Sequence, residues 1–283
     1  MLALAVTEEM DTMLTLKVAQ TWETILEGSP RTELERSVLP AFLRGQRWFG
    51  GKGRQIESVR VADWGDFPAG EARIFLMMLE VKFADDKKDL YFVPIGVTSG
   101  EAAARMLSAM KPWVIARLSG AAGEAVLHDA LADDDTCTSL LAAIAGGREF
   151  ATRSGRVRAF STAAFTELRG NPDQPLSVER GPATSSNSLL FYGGRLLLKL
   201  FRRLEVGMNP DFEIGRFLTE EKVFERIPRV AGSIEYCREG SEPITLAILQ
   251  AMVPNQGDGW RHALGELGRY YERSSGAMGS ELD

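Results

Sequence analysis

The sequence predicts an α+β fold, and three observations carry that reading. A helix-prone N-terminal stretch gives way to three strand-like segments, Ile56–Val61, Ala72–Phe83 and Asp89–Val97, rich in β-branched and aromatic residues. Farther on, a tight hairpin, one helix and two more strands follow one another between residues 189 and 250. The composition, 45% hydrophobic and 25% charged over 283 residues, is that of a globular chain and not of a disordered, collagenous or coiled-coil one. A chain of this length is expected to form about two domains.

The same arithmetic removes several function classes. With 33 Lys+Arg against 39 Asp+Glu the net charge is −6, which argues against a nucleic-acid partner. No apolar run reaches the roughly 18 to 20 residues that cross a bilayer, so no membrane role is expected. Met1-Leu2-Ala3-Leu4-Ala5-Val6 lacks a basic flank and meets Thr7-Glu8-Glu9 at once, so it does not read as a secretory signal. Cys137 and Cys237 form no CxxC pair, which fits a reduced, cytoplasmic setting without a metal site. Only His128 and His262 are available for histidine-based catalysis.

Residues 1–28 read as helix, with Met13, Leu14, Leu16, Val18 and Trp22 among polar residues and Gly28-Ser29-Pro30 as the stop. Thr32 and Glu35 have capping-box spacing and open a second helix through Leu43, which Pro40 should kink or shorten. The turn Trp48-Phe49-Gly50-Gly51-Lys52 is either an aromatic anchor or a contact for a nucleotide loop or partner protein. Between the strands, Asp63, Gly65, Pro68 and Gly70 supply turn residues, and Asp85-Asp86-Lys87-Lys88 reads as a solvated hairpin tip. Gly123–Leu131 and Thr136–Ile144 read as two short helices. Asp133-Asp134-Asp135 between them fits a cap before Thr136 better than a metal site, because consecutive side chains do not converge. Val157–Phe160 and Leu176–Glu179 read as strands, and no internal repeat is visible.

From residue 176 the order becomes informative. A strand leads into the small-polar loop Gly181-Pro182-Ala183-Thr184-Ser185-Ser186-Asn187-Ser188, then Leu189–Tyr192 turns at Gly193-Gly194 into Arg195–Phe201. Asn209 can cap a helix with Pro210 in its first turn, running to about Arg226. Strands near Val230–Tyr236 and Thr245–Gln250 follow, then the connector Val253–Gly259 and a helix from Trp260. Lys199 interrupts the apolar run Leu196–Phe201, a strand expected to be covered on both faces. There it is either a snorkelling edge lysine or a buried ammonium that needs an anionic partner. Glu213 shares a stripe with Phe217 and Phe224 and is the first candidate. Glu220 and Glu221 are alternatives, and Glu213 could instead face solvent. The 183–188 loop is either a plain polar turn or a cradle whose backbone N–H groups approach an anion.

Together, loop, hairpin, embedded lysine, helix with an acid and two strands give the small lobe of a protein-kinase-like fold. At this point the sequence resembles a known family. Gln46-Arg47-Trp48-Phe49-Gly50-Gly51-Lys52, Leu198-Lys199-Leu200-Phe201-Arg202-Arg203, Asn209–Thr219 and Val253–Trp260 are similar to the corresponding segments of bacterial maltokinases, over most of residues 33–273. That family is related to aminoglycoside and choline phosphotransferases, and its members are often fused or complexed to trehalose synthase. The resemblance implies an N-terminal cap with an antiparallel sheet (1–112), a kinase-like small lobe (113–253) and the start of a large lobe with a linker tail (254–283). It implies phosphorylation of maltose with ATP and Mg²⁺ to maltose 1-phosphate, feeding α-glucan synthesis. By the same resemblance Lys199 holds nucleotide phosphates and Glu213 orients it. Ser185, Ser186, Asn187 and Ser188 form the phosphate loop, and Gln250, Ala251 and Met252 form the hinge for adenine.

Such kinases keep their catalytic and metal-binding aspartates after the hinge. Only 31 residues follow Met252, with no His-Gly-Asp or similar triplet among them. Asp211-Phe212-Glu213 has the look of a metal motif but precedes the hinge, so it is assigned to the helix and not to chemistry. The large lobe, the catalytic aspartate and the metal ligands are therefore expected to be mostly missing from this chain, which alone should be inactive. Two rival readings remain: a docking module that assembles with a trehalose synthase, and a kinase for another sugar or an amino alcohol.

Overall fold

The computed structural model describes residues 13–19, 21–70, 72–181, 186–221, 224, 226–255, 257 and 259–279. The chain is α+β, as expected. It opens with β1 (Thr15–Val18) and a 3-10 turn, Trp22–Leu26. α1 (Gly28–Glu33), a π-helical turn (Leu34–Val38) and α2 (Leu39–Gly45) then form one continuous helical run. Residues 15–18, expected as helix, are thus a strand: Leu16 and Val18 are buried while Thr15 and Lys17 face out, a period of two. Pro40 does not shorten the second helix. The wider turn just before it, with the Leu39 N–H reaching back to the Leu34 carbonyl, makes room for a ring that has no N–H to donate.

Next come β2 (Ile56–Ala69), β3 (Ala72–Phe83), β4 (Lys88–Ser99), α3 (Gly100–Ala109), β5 (Val114–Gly120) and β6 (Gly123–Asp129). They form one sheet in the order β1-β5-β6-β4-β3-β2, antiparallel except for β1 with β5. The sheet continues past residue 112 through β5 and β6. Gly123–Leu131, expected as helix, supplies β6, whose last five residues are all buried and so show no alternation to read. β3 explains how a sheet can carry such a run. Ile74, Leu76 and Met78 face a core shared with the second sheet, and Phe75, Met77 and Leu79 face the core under the Leu34–Val38 turn and α2.

The second half contains α4 (Asp134–Ala145), β7 (Glu149–Ala151), β8 (Arg156–Ser161), α5 (Phe165–Arg169), β9 (Val178–Arg180), β10 (Asn187–Tyr192), β11 (Leu196–Phe201), β12 (Arg203–Leu204), α6 (Pro210–Glu221), β13 (Val230–Cys237) and β14 (Ile244–Ala251). The second sheet runs β7-β8-β13-β14-β11-β10-β9, while β12 crosses over to pair with β4 of the first. Strands β9 to β11, then α6, then β13 and β14 have the order expected of a kinase-like small lobe. Asp133 caps α4 through the Thr136 N–H and hydroxyl, both at 2.8 Å, as its position before Thr136 suggested.

The two sheets are joined by polar ties as well as by the shared core. Asp63 on β2 is buried and accepts from the Tyr236 hydroxyl (2.7 Å) and the Thr152 hydroxyl (2.6 Å). Residues 1–251 form one compact unit and 252–283 a second. The second unit carries α7 (Gly259–Gly279), on which Trp260, Leu264, Leu267 and Tyr271 recur at helical spacing. Among the described residues no helix is long and apolar enough to cross a membrane.

Candidate functional site

The alternation of β10 and β11 positions the site. Ser188, Leu190 and Tyr192 point into the core, leaving Asn187, Leu189 and Phe191 half-buried on the other face. On β11, Leu196, Leu198 and Leu200 point inward, and Leu197 and Lys199 share the outer face. The strand expected to be covered on both sides is therefore covered on one, and its second face is partly open. Lys199 lies opposite Leu189 on one neighbour and Ile248 on the other. Its side chain is 26% exposed, and Nζ donates to Asp211 Oδ2 at 2.6 Å. Nζ is also 5.2 Å from the Phe201 ring centroid.

The acid that meets Lys199 is thus Asp211, not Glu213, which is exposed. Asn209 Oδ1 accepts the Asp211 N–H at 2.9 Å, which caps α6 as expected and fixes Asp211 in its first turn. The inward stripe of α6 is Phe212, Gly215 and Thr219. Thr219 Oγ1 accepts the Val230 N–H at 3.0 Å, and a Cβ on Gly215 would stand 2.8 Å from Val230 Cγ2. Phe217 and Phe224, expected inside, are 57% and 51% exposed. The whole face is displaced by one residue, about 100° around the helix.

Beside the ammonium lies a cleft of about 320 Å³ lined by Ser186, Asn187, Lys199, Phe201, Arg203, Glu205, Asn209 and Thr245, with residues 206–208 and Pro210. Three of the sequence-predicted residues, Ser186, Asn187 and Lys199, meet there. Ser185 lies outside the described residues. Ser188 does not meet them: the pleat turns it inward, where its Oγ accepts from Arg202 Nε at 2.8 Å. Gln250 and Ala251 pair with Leu197 and Leu196, two and three residues along β11, so about 7–10 Å from the lysine in the strand direction. The Ala251 N–H is engaged by the Arg229 carbonyl at 2.8 Å. Met252 falls in the second unit.

The cleft brings together a cation held by an acid, the end of a small-residue loop and the first turn of a 12-residue helix. The ammonium and the small-residue loop favour an anion, and with Arg203 they suit a phosphate, whereas the first-turn N–H groups of α6 are already taken up by Asn209. Sequence reasoning missed Asp211, which it had assigned to the helix alone. It also passed over Arg203, which lines the cleft while pairing with Asp89 at 3.1 Å. The Trp48 turn packs as an aromatic anchor, and the Trp48 ring also stands under Arg202. Trp48 packs edge-on to Phe42 and tilted to Tyr91, Phe49 stacks on Phe83, and a Cβ on Gly51 would strike the Phe83 ring at 2.6 Å.

Residues 42–133 match the family model of the maltokinase N-terminal cap domain. Among solved structures the chain is similar to a glucosamine kinase in complex with glucosamine, ADP and inorganic phosphate, at 15% identity and a TM-score of 0.44, over 88% of this chain and 44% of that one. Crystal form B of glucosamine kinase matches at 18% identity and a TM-score of 0.43, over 87% and 44%. Crystal form A matches at 17% and 0.39, over 71% and 36%. The chain spans less than half the length of each of these kinases.

Proposed function

We propose that this chain carries the phosphate-anchoring half of the ATP site of a sugar kinase that converts maltose to maltose 1-phosphate. The observation that carries the proposal is the Lys199–Asp211 pair at the mouth of a cleft lined by Ser186 and Asn187. The match of residues 42–133 to the maltokinase cap supports maltose as the acceptor. In this reading the Lys199 ammonium offsets charge on the α- and β-phosphates, and Asp211 keeps it aimed into the cleft in place of the role first given to Glu213. Ser186 and Asn187 offer backbone and side-chain donors over the same phosphates. The adenine edge is assigned to the end of β14, near Gln250 and Ala251, beside the Ala251 N–H that the Arg229 carbonyl engages.

Among the described residues no three His, Cys, Asp or Glu side chains converge to hold a cation. Mg²⁺ is what the resemblance implies, bound through one or two carboxylates and the phosphates themselves, and no step is drawn through it. What these residues supply is binding and orientation of the donor. Titrating the chain with ATP, ADP and AMP tests this. ADP and ATP should bind at least tenfold more tightly than AMP, because only they place a β-phosphate at Lys199. Equal affinities for all three would refute a phosphate anchor.

A further inference from the structure

Arg202 is wholly buried where β11 passes into β12, a position that demands explanation. Its backbone N–H donates to the Ser186 carbonyl (3.1 Å), and its own carbonyl accepts the Phe92 N–H (2.8 Å). Its Nε donates to Ser188 Oγ, and Nη2 lies 2.7 Å from Oδ2 of Asp129, which is equally buried. The guanidinium carbon stands 4.8 Å from the centre of the Trp48 ring. Ser186 and Ser188 belong to the far foot of the 181–188 loop, whereas Phe92, Asp129 and Trp48 belong to the first sheet and its helical cover.

The near foot is tied in the same way. Arg180, the last residue of β9, donates from Nε to the Leu131 carbonyl (2.5 Å). Its Nη2 donates to the Ala132 carbonyl (2.8 Å) and to Asp134 Oδ1 (2.6 Å). Both strands that flank the loop are thus fastened by an arginine to one short segment, Asp129–Asp134, at the end of β6. A buried ion pair is weak grounds for stability, since an apolar pair of similar size often holds a core as well or better. What a planar guanidinium adds is direction: Arg180 donates along its fork to Leu131, Ala132 and Asp134, and Arg202 donates from Nε to Ser188 while its Nη2 meets Asp129 as a close ion pair without an aligned hydrogen bond.

We propose that Arg202 and Arg180 are positioning residues: through them the 129–134 segment holds the two feet of the 181–188 loop in register, so that Ser186 and Asn187 stand at the Lys199 cleft. This rests on the reading of that cleft as a nucleotide site. It gives the first sheet a part in nucleotide affinity although only Arg203, on β12 at its edge, lines the cleft.

Hydrogen exchange of peptides covering residues 178–192, together with titration of the full chain by TNP-ATP, tests it. The double variant Asp129→Asn/Arg202→Met removes both buried charges at once, while the Asn can keep the Oδ1 that accepts the Leu131 N–H at 3.1 Å. It should stay folded, exchange at least tenfold faster over residues 186–189 and bind TNP-ATP at least threefold more weakly. Arg180→Met should do the same over residues 178–182. Wild-type exchange and affinity in folded variants would overturn the proposal. If the double variant fails to fold, Ser188→Ala and Arg180→Met decide, and wild-type exchange at both feet overturns it. Lys199→Met separates the two readings. If that variant binds TNP-ATP like wild type, the nucleotide reading falls, and the exchange measurements alone judge whether the arginines hold the loop.

Discussion

Replacing Lys199 by Met keeps most of the aliphatic stem against Leu189 and Ile248 and removes only the ammonium. Two magnitudes then separate a binding lysine from a structural one. The Lys199–Asp211 pair has a lysine 26% exposed and an aspartate 62% exposed, and pairs that open to water contribute at most about 1 kcal/mol. Urea unfolding of Lys199→Met should therefore lie within about 1 kcal/mol of wild type. A charged hydrogen bond to a nucleotide phosphate is worth about 1.5–3 kcal/mol, which corresponds to a loss of about 10- to 150-fold in affinity. Titration with TNP-ATP or ADP reads that number directly. Affinity within twofold of wild type would refute the assignment of Lys199 to phosphate. A stability loss above about 3 kcal/mol would show that the lysine holds the sheet instead.

Three further outcomes follow from the same structure. Asp63→Ala strands the buried Tyr236 hydroxyl and the Thr152 hydroxyl across the two sheets, and should cost about 3 kcal/mol in urea unfolding; a loss under 1 kcal/mol would mean the tie is dispensable. His128 is buried opposite Gly96, and desolvation lowers its pKa although Asp129 and Asp133 oppose the shift, so the fold holds it neutral while the unfolded chain takes a proton. Its contribution is present above the unfolded value near ~6.5 and is lost as pH falls, at up to about 1.4 kcal/mol per pH unit. His128→Gln should flatten the fall in stability between pH 7.5 and 5.5, and an unchanged slope would sink that account. Burial pushes the Cys137 thiol up to about 12 and raises the half-buried Cys237 as well, so in the native chain iodoacetamide at pH 8 should label Cys237 slowly and reach Cys137 only after unfolding. Early labelling of Cys137 would contradict its burial.

Much of the architecture was legible because strands and turns announce themselves locally. Ala72–Phe83 could be read to the residue from its apolar content and the turns at its ends. Lys199 stood out for a similar reason, as one charge in six residues of apolar strand. Its partner did not, because the phase of α6 is set by what it packs on. Phe212 wins the core from Phe217 and Phe224; the one-residue shift puts Phe212 where Glu213 was expected and leaves Asp211, next to it in the first turn, to meet the lysine. Gly123–Asp129 was misread because a strand buried on both faces has lost the alternation that distinguishes it from a helix. The Asp129–Arg202 pair joins residues 73 apart, and nothing in either neighbourhood points to the other.

The arrangement of β3 has a consequence for how this molecule can be taken apart. Ile74, Leu76 and Met78 are a party wall: the rooms on either side lean on it. A shortened chain that begins after residue 133 would strip that wall from Leu190, Leu198 and Leu246 and leave a greasy surface where water now has no access. The half that bears the lysine is therefore not a free-standing tenant, and biochemistry on it requires the neighbour to be kept in place.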